Sequence, residues 1–330
     1  MSNLDRYGTL FRTRSLYTGE IYRDLRSYAD VGSTHPIPAA VGGQQWLESE
    51  LFRRITDFGE WLAHPLGIAR VRINPDNTLM VYADDYYRLL LGDTKYAFAE
   101  HVVRSCSPHM CEDGEFRGVP GLRIVGIKGR DLTVSLLNSD CRVVLRASAG
   151  TRWSSHIAAL EADLTHDGMQ GMWKEPTRTE QERRFESETA PRVSVHRREL
   201  AWLGSGLLRR IALLQTSNNA YSTKRWVTAG TWFFEFDRRF DVPVDHDTFI
   251  SRLCDPRWGL GLQVKDAMCM CAYAEAKWGD CVLDLERADG SPGVLQLRFC
   301  RRGRDDRWNR RGSLEAVGAE EQWLDRVLPK

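Results

Sequence analysis

Four side chains that can bind a metal ion lie within residues 101–111, which read HVVRSCSPHMC. They are His101, Cys106, His109 and Cys111. Structural zinc is held by four imidazole or thiolate ligands in a tetrahedron, and these often come from the chain as two close pairs. Cys106 and His109 have the spacing of one such pair. The segment therefore predicts a site for one zinc ion, and the alternative is a chain without a cofactor whose cysteines pack in the core.

The ligand spacing of this segment is tight for a complete zinc site. Four ligands from eleven consecutive residues would strain a tetrahedral shell. We therefore expect a residue from elsewhere in the chain to replace one of them. The candidates are Cys141, at the start of a predicted strand, and His64.

Two other groups of residues could bind a metal ion. The triplet Asp245-His246-Asp247 has suitable ligands, although its position before a predicted helix favours an N-cap. Cys269 and Cys271 are two residues apart in a predicted strand and so point to one face, with Cys281 and Cys300 on neighbouring strands. Small thiols in a sheet core explain these cysteines as well, and that is the interpretation we favour.

The densest positive charge lies in residues 301–311, which read RRGRDDRWNRR. Guanidinium groups bind phosphate, and aromatic rings stack on bases, so the segment predicts contact with RNA or DNA. Two aspartates dilute the charge, and a solvated loop or a salt-bridged contact with a neighbouring subunit is an equal alternative. The predicted contact residues are Arg301, Arg302, Arg304, Arg307, Trp308, Arg310 and Arg311.

Sequence motifs of known catalytic sites do not occur in this chain. It has no G-x-x-x-x-G-K-[ST], G-x-G-x-x-G, G-x-S-x-G, H-E-x-x-H or C-x-x-C. The sequence does not decide whether the protein is an enzyme, but the lack of these motifs favours a protein without catalytic activity.

The overall composition indicates a globular protein without a dominant charge. Among 330 residues, 46 Lys and Arg nearly cancel 45 Asp and Glu, which argues against a polyelectrolyte role for the whole chain. Anion binding therefore needs a local patch. No apolar run is long enough for a membrane span, and the N-terminal residues lack the pattern of a signal peptide. Eight cysteines are too few for a disulfide scaffold in a chain of this length, so we interpret them as reduced thiols. We therefore expect a cytoplasmic protein, or one in a virion if it is viral.

Hydrophobic periodicity predicts an α+β fold in two lobes, each with long helices and an antiparallel β-meander. Apolar residues at helical spacing run from Trp46 to Leu62, and alternating strands follow from Leu122. A second helical pattern and a second meander repeat this order without any repeat at the level of residues. The predicted division is an N-terminal lobe 1–173, a charged linker 174–192 that could also be an exposed helix or a mobile loop, and a C-terminal lobe 193–330.

These features favour a binding or assembly protein, a subunit of a larger particle or complex such as a viral structural protein. Its partners would be other protein subunits, with RNA or DNA as a further candidate, and no membrane. Eleven tryptophans fit this interpretation, because tryptophan often anchors protein interfaces. The alternative is a zinc- or other metal-dependent enzyme of an unrecognised type.

Overall fold

The computed structural model describes residues 3–29, 36–56, 61–89, 94–147, 150–189, 195–216, 220–239, 242, 245–270, 280–302 and 310–328. The α-helices in these ranges are α1 Asn3–Thr18, α2 Tyr22–Ala29, α3 Gly42–Ile55, α4 Phe98–Cys106, α5 Trp153–His166, α6 Glu180–Thr189, α7 Val195–Glu199, α8 Ala201–Leu208, α9 Ile211–Thr216, α10 His246–Cys254, α11 Arg310–Ala316 and α12 Glu321–Val327. A short 3-10 helix spans Pro65–Gly67. None of the described helices is both long and apolar enough to span a membrane.

The strands of the described chain fall in two five-stranded sheets and two small ones. They are β1 Trp61–Leu62, β2 Ile68–Ile73, β3 Leu79–Ala83, β4 Tyr86–Arg88, β5 Lys95–Ala97, β6 His109–Met110, β7 Phe116–Arg117, β8 Leu122–Lys128, β9 Asp131–Leu136, β10 Arg142–Arg146, β11 Ser222–Thr228, β12 Thr231–Arg239, β13 Leu262–Met268, β14 Cys281–Arg287 and β15 Val294–Arg302. Helices and mixed sheets together confirm the predicted α+β class.

The two large sheets have the same topology. The N-terminal sheet has the order β2-β3-β10-β9-β8, and the C-terminal sheet has the order β11-β12-β15-β14-β13. In each, an antiparallel hairpin is followed by a nine-residue helix and then by an antiparallel meander. The last strand of the meander pairs in parallel with the second strand of the hairpin. The repeated order of elements in the sequence therefore corresponds to a repeated arrangement in space.

Even an irregularity is repeated between the two sheets. The outer strand β8 has a β-bulge at Val125, and the outer strand β13 has one at Lys265. In each strand three regular pairs precede the bulge and three follow it. A bulge of this kind bends the strand and increases its twist, so the two outer strands leave their sheets in a similar way.

Helices α3 and α8 lie side by side between the two sheets. Phe52 on α3 stacks on Trp232 of the C-terminal sheet, with 5.5 Å between ring centroids. Gly204 on α8 lies so close to α3 that a Cβ there would be 2.2 Å from Oγ of Ser49. One cluster of buried apolar side chains includes residues of both sheets and both helices. The two halves thus share one core, because each half contributes a helix to the space between the sheets.

A buried ion pair joins the two halves within this core. Arg209, at the end of α8, and Glu48 on α3 are both fully buried, with 2.6 Å between Nη2 and Oε1. Arg209 also donates to the carbonyl of Pro38 and to the side chain of Asn77, both at 2.6 Å. Ser205 donates to the other carboxylate oxygen of Glu48. The two charges can be buried here because each is paired with the other and both side chains make further hydrogen bonds within the protein.

The predicted charged linker contains helix α6, which packs on the N-terminal sheet. Glu182 on α6 is fully buried and accepts two hydrogen bonds of 2.9 Å from Arg123 on β8. The backbone amides of Gly121 and Thr179 donate to the same carboxylate. The boundaries of the predicted lobes stay a prediction.

Candidate functional site

The predicted zinc ligands of residues 101–111 belong to three local structures. His101 and Cys106 lie on α4, His109 lies on β6, and Cys111 follows that strand. Nε2 of His101 is 3.1 Å from the carbonyl oxygen of Ile55, and Nδ1 of His109 is 2.8 Å from the carbonyl oxygen of Ser107. Backbone carbonyls therefore already contact one ring nitrogen of each histidine.

The thiols of this segment differ in burial. Burial raises the pKa of Cys106 to about 12, and the guanidinium group of Arg54 only partly opposes this rise. Burial also raises the pKa of Cys111, which is half-buried, and it lowers the pKa of the buried His109. Because zinc binds the thiolate, Cys106 is the least suited of the four to ligation.

Three of the four residues line one surface cleft of about 670 Å³: His101, His109 and Cys111. Three arginines line the cleft as well, and so do four carboxylates, so the cleft has mixed charge: Arg54, Arg104, Arg117, Glu112, Asp113, Asp163 and Asp167. The two residues suggested as replacement ligands lie elsewhere. Sγ of Cys141 lies beside Gly43 on α3, and Nδ1 of His64 is 2.6 Å from Oδ1 of Asp84. A zinc ion bound by this segment stays a prediction.

For most residues of the predicted arginine surface, the structure does not describe the side chains. Residues 303–309, which include Arg304, Arg307 and Trp308, are not described, and only the backbone of Arg301 and Arg302 is. Arg310 lies over the ring of Tyr221 at 4.9 Å, and Arg311 contacts Glu315 and Asp325. The two described guanidinium groups therefore have partners within the chain, and contact with nucleic acid stays a prediction.

Two groups of the described residues bring three ligand atoms of histidine, cysteine or carboxylate within 4.8 Å of one another. One is Glu235, Asp237 and Cys300, and Nζ of Lys224 lies 3.4 Å from Glu235 and 3.1 Å from Asp237. An ammonium group thus already compensates these carboxylates. Residues 101–111 contribute to neither group.

The other group combines residues that the sequence analysis treated separately. Nε2 of His246, from the Asp245-His246-Asp247 triplet, lies 3.2 Å from Sγ of Cys269, which lies 3.7 Å from Sγ of Cys281. Asp245 does occupy the N-cap position of α10, but its side chain makes no capping hydrogen bond. Cys271 lies outside the described residues. The sequence did place Cys269 and Cys281 on neighbouring predicted strands, but no local pattern linked them to His246.

The outer strands of the two sheets form a second candidate site. From Val125 onward every residue of β8 is exposed, and so is every residue of β13 after Leu262. Apolar side chains are included, since Ile127 is 43% exposed and Val264 is 47% exposed. An outer strand of a sheet also presents backbone donors and acceptors that another strand can pair with.

No protein-family model, curated protein or solved structure matches this chain. A function for the chain therefore depends on the geometry described above. The metal-dependent enzyme that the sequence analysis kept as an alternative stays a prediction.

Proposed function

We propose that this chain is a non-enzymatic assembly protein, whose copies join through the outer edges of their two large sheets. The observation that carries the proposal is the pair of corresponding outer strands, β8 and β13, whose outer parts are exposed on both faces. A strand that is exposed on both faces gains buried area and backbone hydrogen bonds when another strand pairs with it.

A second copy of the same chain is the partner that fits these edges best. Each chain has one exposed outer strand in its N-terminal sheet, β8, and one in its C-terminal sheet, β13. The β8 strand of one copy can therefore pair with the β13 strand of the next. The exposed part of β8 contains Lys128, and that of β13 contains Lys265 and Asp266, so Asp266 is the residue of that edge that can pair with Lys128. Contacts between unlike edges continue from copy to copy and form a ring or a filament, depending on the angle between neighbours.

Light scattering coupled to size-exclusion chromatography measures this assembly directly. We expect the mass of the wild-type protein to exceed 37.8 kDa, the mass of one chain, and to rise with concentration. Ile127→Lys on β8 or Val264→Lys on β13 places a charge on one edge and lowers the mass. Val41→Lys is the matched control, because Val41 is 73% exposed but precedes α3 and lies on neither edge.

Mixing the two edge variants tests whether unlike edges meet. An Ile127→Lys chain keeps its β13 edge and a Val264→Lys chain keeps its β8 edge, so the mixture should form dimers and nothing larger. A wild-type protein that stays at the mass of one chain at every concentration would overturn the proposal. Assemblies that persist in both variants would overturn it too.

Nucleic acid is the competing basis for assembly. The arginine segment 301–311 would contact RNA or DNA, or a neighbouring subunit, within the same complex. If nuclease treatment dissolves the assemblies while the edge variants leave them intact, nucleic acid carries the association and the edges do not. The proposed subunit would be cytoplasmic, or part of a virion if it is viral, because eight cysteines in 330 residues are few for a disulfide framework.

A further inference from the structure

We infer that His246, Cys269 and Cys281 form a zinc site. Three elements of the C-terminal half meet at these side chains. His246 is the first residue of α10, Cys269 directly follows β13, and Cys281 is the first residue of β14. Met268 pairs with Val282, so Cys269 and Cys281 occupy the next position across the two strands.

Two of the three distances between the ligand atoms are close to those in a zinc tetrahedron. Sulfur at roughly 2.3 Å and nitrogen at roughly 2.0 Å from one ion place two sulfurs roughly 3.8 Å apart and a sulfur and a nitrogen roughly 3.5 Å apart. The observed separations are 3.7 Å between the two Sγ atoms and 3.2 Å between Cys269 Sγ and His246 Nε2. The third pair of ligand atoms, those of His246 and Cys281, lies within 4.8 Å. A movement of the imidazole ring would bring all three atoms to bonding distance from one ion.

The second ring nitrogen of His246 has the surroundings typical of a zinc ligand. A histidine that binds zinc through one nitrogen usually donates its other N–H to a carboxylate or a carbonyl. Nδ1 of His246 lies 2.6 Å from Oδ1 of Asp247, at ion-pair distance although not aligned as a hydrogen bond. A slight rotation of the exposed Asp247 carboxylate would align the two groups.

Ordinary core packing explains Cys281 but not Cys269. Cys281 is fully buried, whereas Cys269 is exposed at the end of an outer strand. An exposed thiol gains little from packing, and here it lies beside a second thiol and an imidazole. Two sulfurs and a nitrogen favour zinc over magnesium or calcium, which prefer oxygen ligands.

The metal would fasten the end of the outer strand β13 to helix α10 and strand β14. Binding releases the two thiol protons, so the affinity falls as the pH is lowered. Three ligands from this chain leave one position of the tetrahedron for a fourth ligand, and water can occupy it.

Metal content of the full-length protein tests this site. The protein is purified from zinc-supplemented medium and its zinc is measured by elemental mass spectrometry. We expect about one zinc ion per chain, lost in Cys269→Ser and in His246→Gln. Cys269 is exposed, so Cys269→Ser should fold. His246 is buried, so circular dichroism checks the fold of His246→Gln as well. Cobalt substitution adds a second measurement, because thiolate ligands give a charge-transfer band that Cys269→Ser weakens.

Two controls separate this site from other cysteines. Cys254→Ser changes a half-buried thiol at the other end of α10 and should leave the zinc content unchanged. Cys111→Ser changes the ligand segment predicted from the sequence and should also retain zinc. Loss of zinc in Cys111→Ser alone would overturn the inference in favour of residues 101–111.

Two further results would also overturn the inference. One is a folded wild-type protein that contains no zinc and takes up no cobalt. The other is an intact mass lower by two hydrogens in wild type but not in Cys269→Ser, which would show a disulfide between Cys269 and Cys281 instead of a metal site.

Discussion

The N-terminal and C-terminal sheets have the same strand order and the same bulge, but their outer strands are held in different ways. On β8, Arg123 binds the buried Glu182 of α6. The corresponding position on β13 is Gln263, which is exposed, and β13 instead meets α10 at its far end through Cys269 and His246. A repeated topology thus fixes where an outer strand lies, while the side chains that fasten it can differ completely.

The difference also assigns a role to the charged segment between the halves. Residues 180–189 supply α6 to the N-terminal sheet, where its one buried carboxylate matters more than its many exposed charges. The C-terminal sheet has soft ligands at the corresponding edge. We therefore expect pH to act on the fastening of β8, because its ion pair is buried and salt screens it little. Metal chelators should act on that of β13.

The largest effect on stability is expected where the two halves meet. Arg209→Met leaves Glu48 buried without its counter-charge, which should lower the free energy of unfolding by about 3–5 kcal/mol. Urea titration measures the change through the transition midpoint at an unchanged slope. Arg184→Met is the control, because Arg184 pairs with Glu188 on the surface of α6, where solvent screens the pair, and should leave the midpoint nearly unchanged. If the two variants lowered the free energy of unfolding equally, the buried pair would contribute no more to stability than the surface pair does.

The next largest effect is expected at the N-terminal outer strand. Glu182→Ala removes the carboxylate that Arg123 binds and should lower stability by about 2–3 kcal/mol. This loss is smaller than that of Arg209→Met because Arg123 keeps its hydrogen bonds to the carbonyls of Glu175 and Thr177. Gln263→Ala, at the corresponding position of β13, should change stability by less than about 0.5 kcal/mol. A comparable loss in Gln263→Ala would mean that the two outer strands are fastened alike.

The pH dependence of the Glu182 interaction has a definite sign. Burial raises the pKa of Glu182, but hydrogen bonds from Arg123 and from two backbone amides outweigh it, so the pKa lies below its ordinary value of 4.5. The stabilisation is therefore present above that value and is lost as the pH falls through the lower pKa of the folded state. In urea titrations, the stability difference between wild type and Glu182→Gln should narrow as the pH is lowered below 4.5.

The smallest of the three effects is expected at the contact between α3 and α8. Gly204→Ala would place a Cβ 2.2 Å from Ser49 Oγ and 2.5 Å from the ring of Trp232, which should cost about 1–3 kcal/mol of stability in a thermal melt. Gly206→Ala is the control on the same helix. Its Cβ would meet only the terminal methyl group of Leu260, which can move, so a change near zero is expected. If Gly206→Ala proves the more harmful, the helices are not in close contact at Gly204.

Local patterns in the sequence were sufficient for much of the secondary structure. The alternation from Leu122 predicted a meander, and β8, β9 and β10 form it, because side chains of a strand alternate between a buried and an exposed face. The helical spacing that begins at Trp46 corresponds to α3. That helix ends at Ile55, however, and Leu62 lies in β1 instead of in a helix. Phe58, within the same pattern, lies outside the described residues.

The second helical pattern was less continuous than its apolar spacing suggested. The chain from Val195 to Thr216 forms α7, α8 and α9 instead of one long helix. Buried residues surround all sides of α8, because it lies between two sheets, so its sequence has no polar face to show where the helix ends.

The sequence by itself determined the α+β class, both meanders and the absence of familiar catalytic motifs. Each of these depends on patterns among residues that are close together in the chain. The tertiary structure alone decided that β3 pairs with β10 and β12 with β15, which makes the two sheets alike. It alone brought His246 to Cys269 and Cys281. Parallel pairing and shared ligation join residues that are distant along the chain, and such contacts leave no periodic signal in a single sequence.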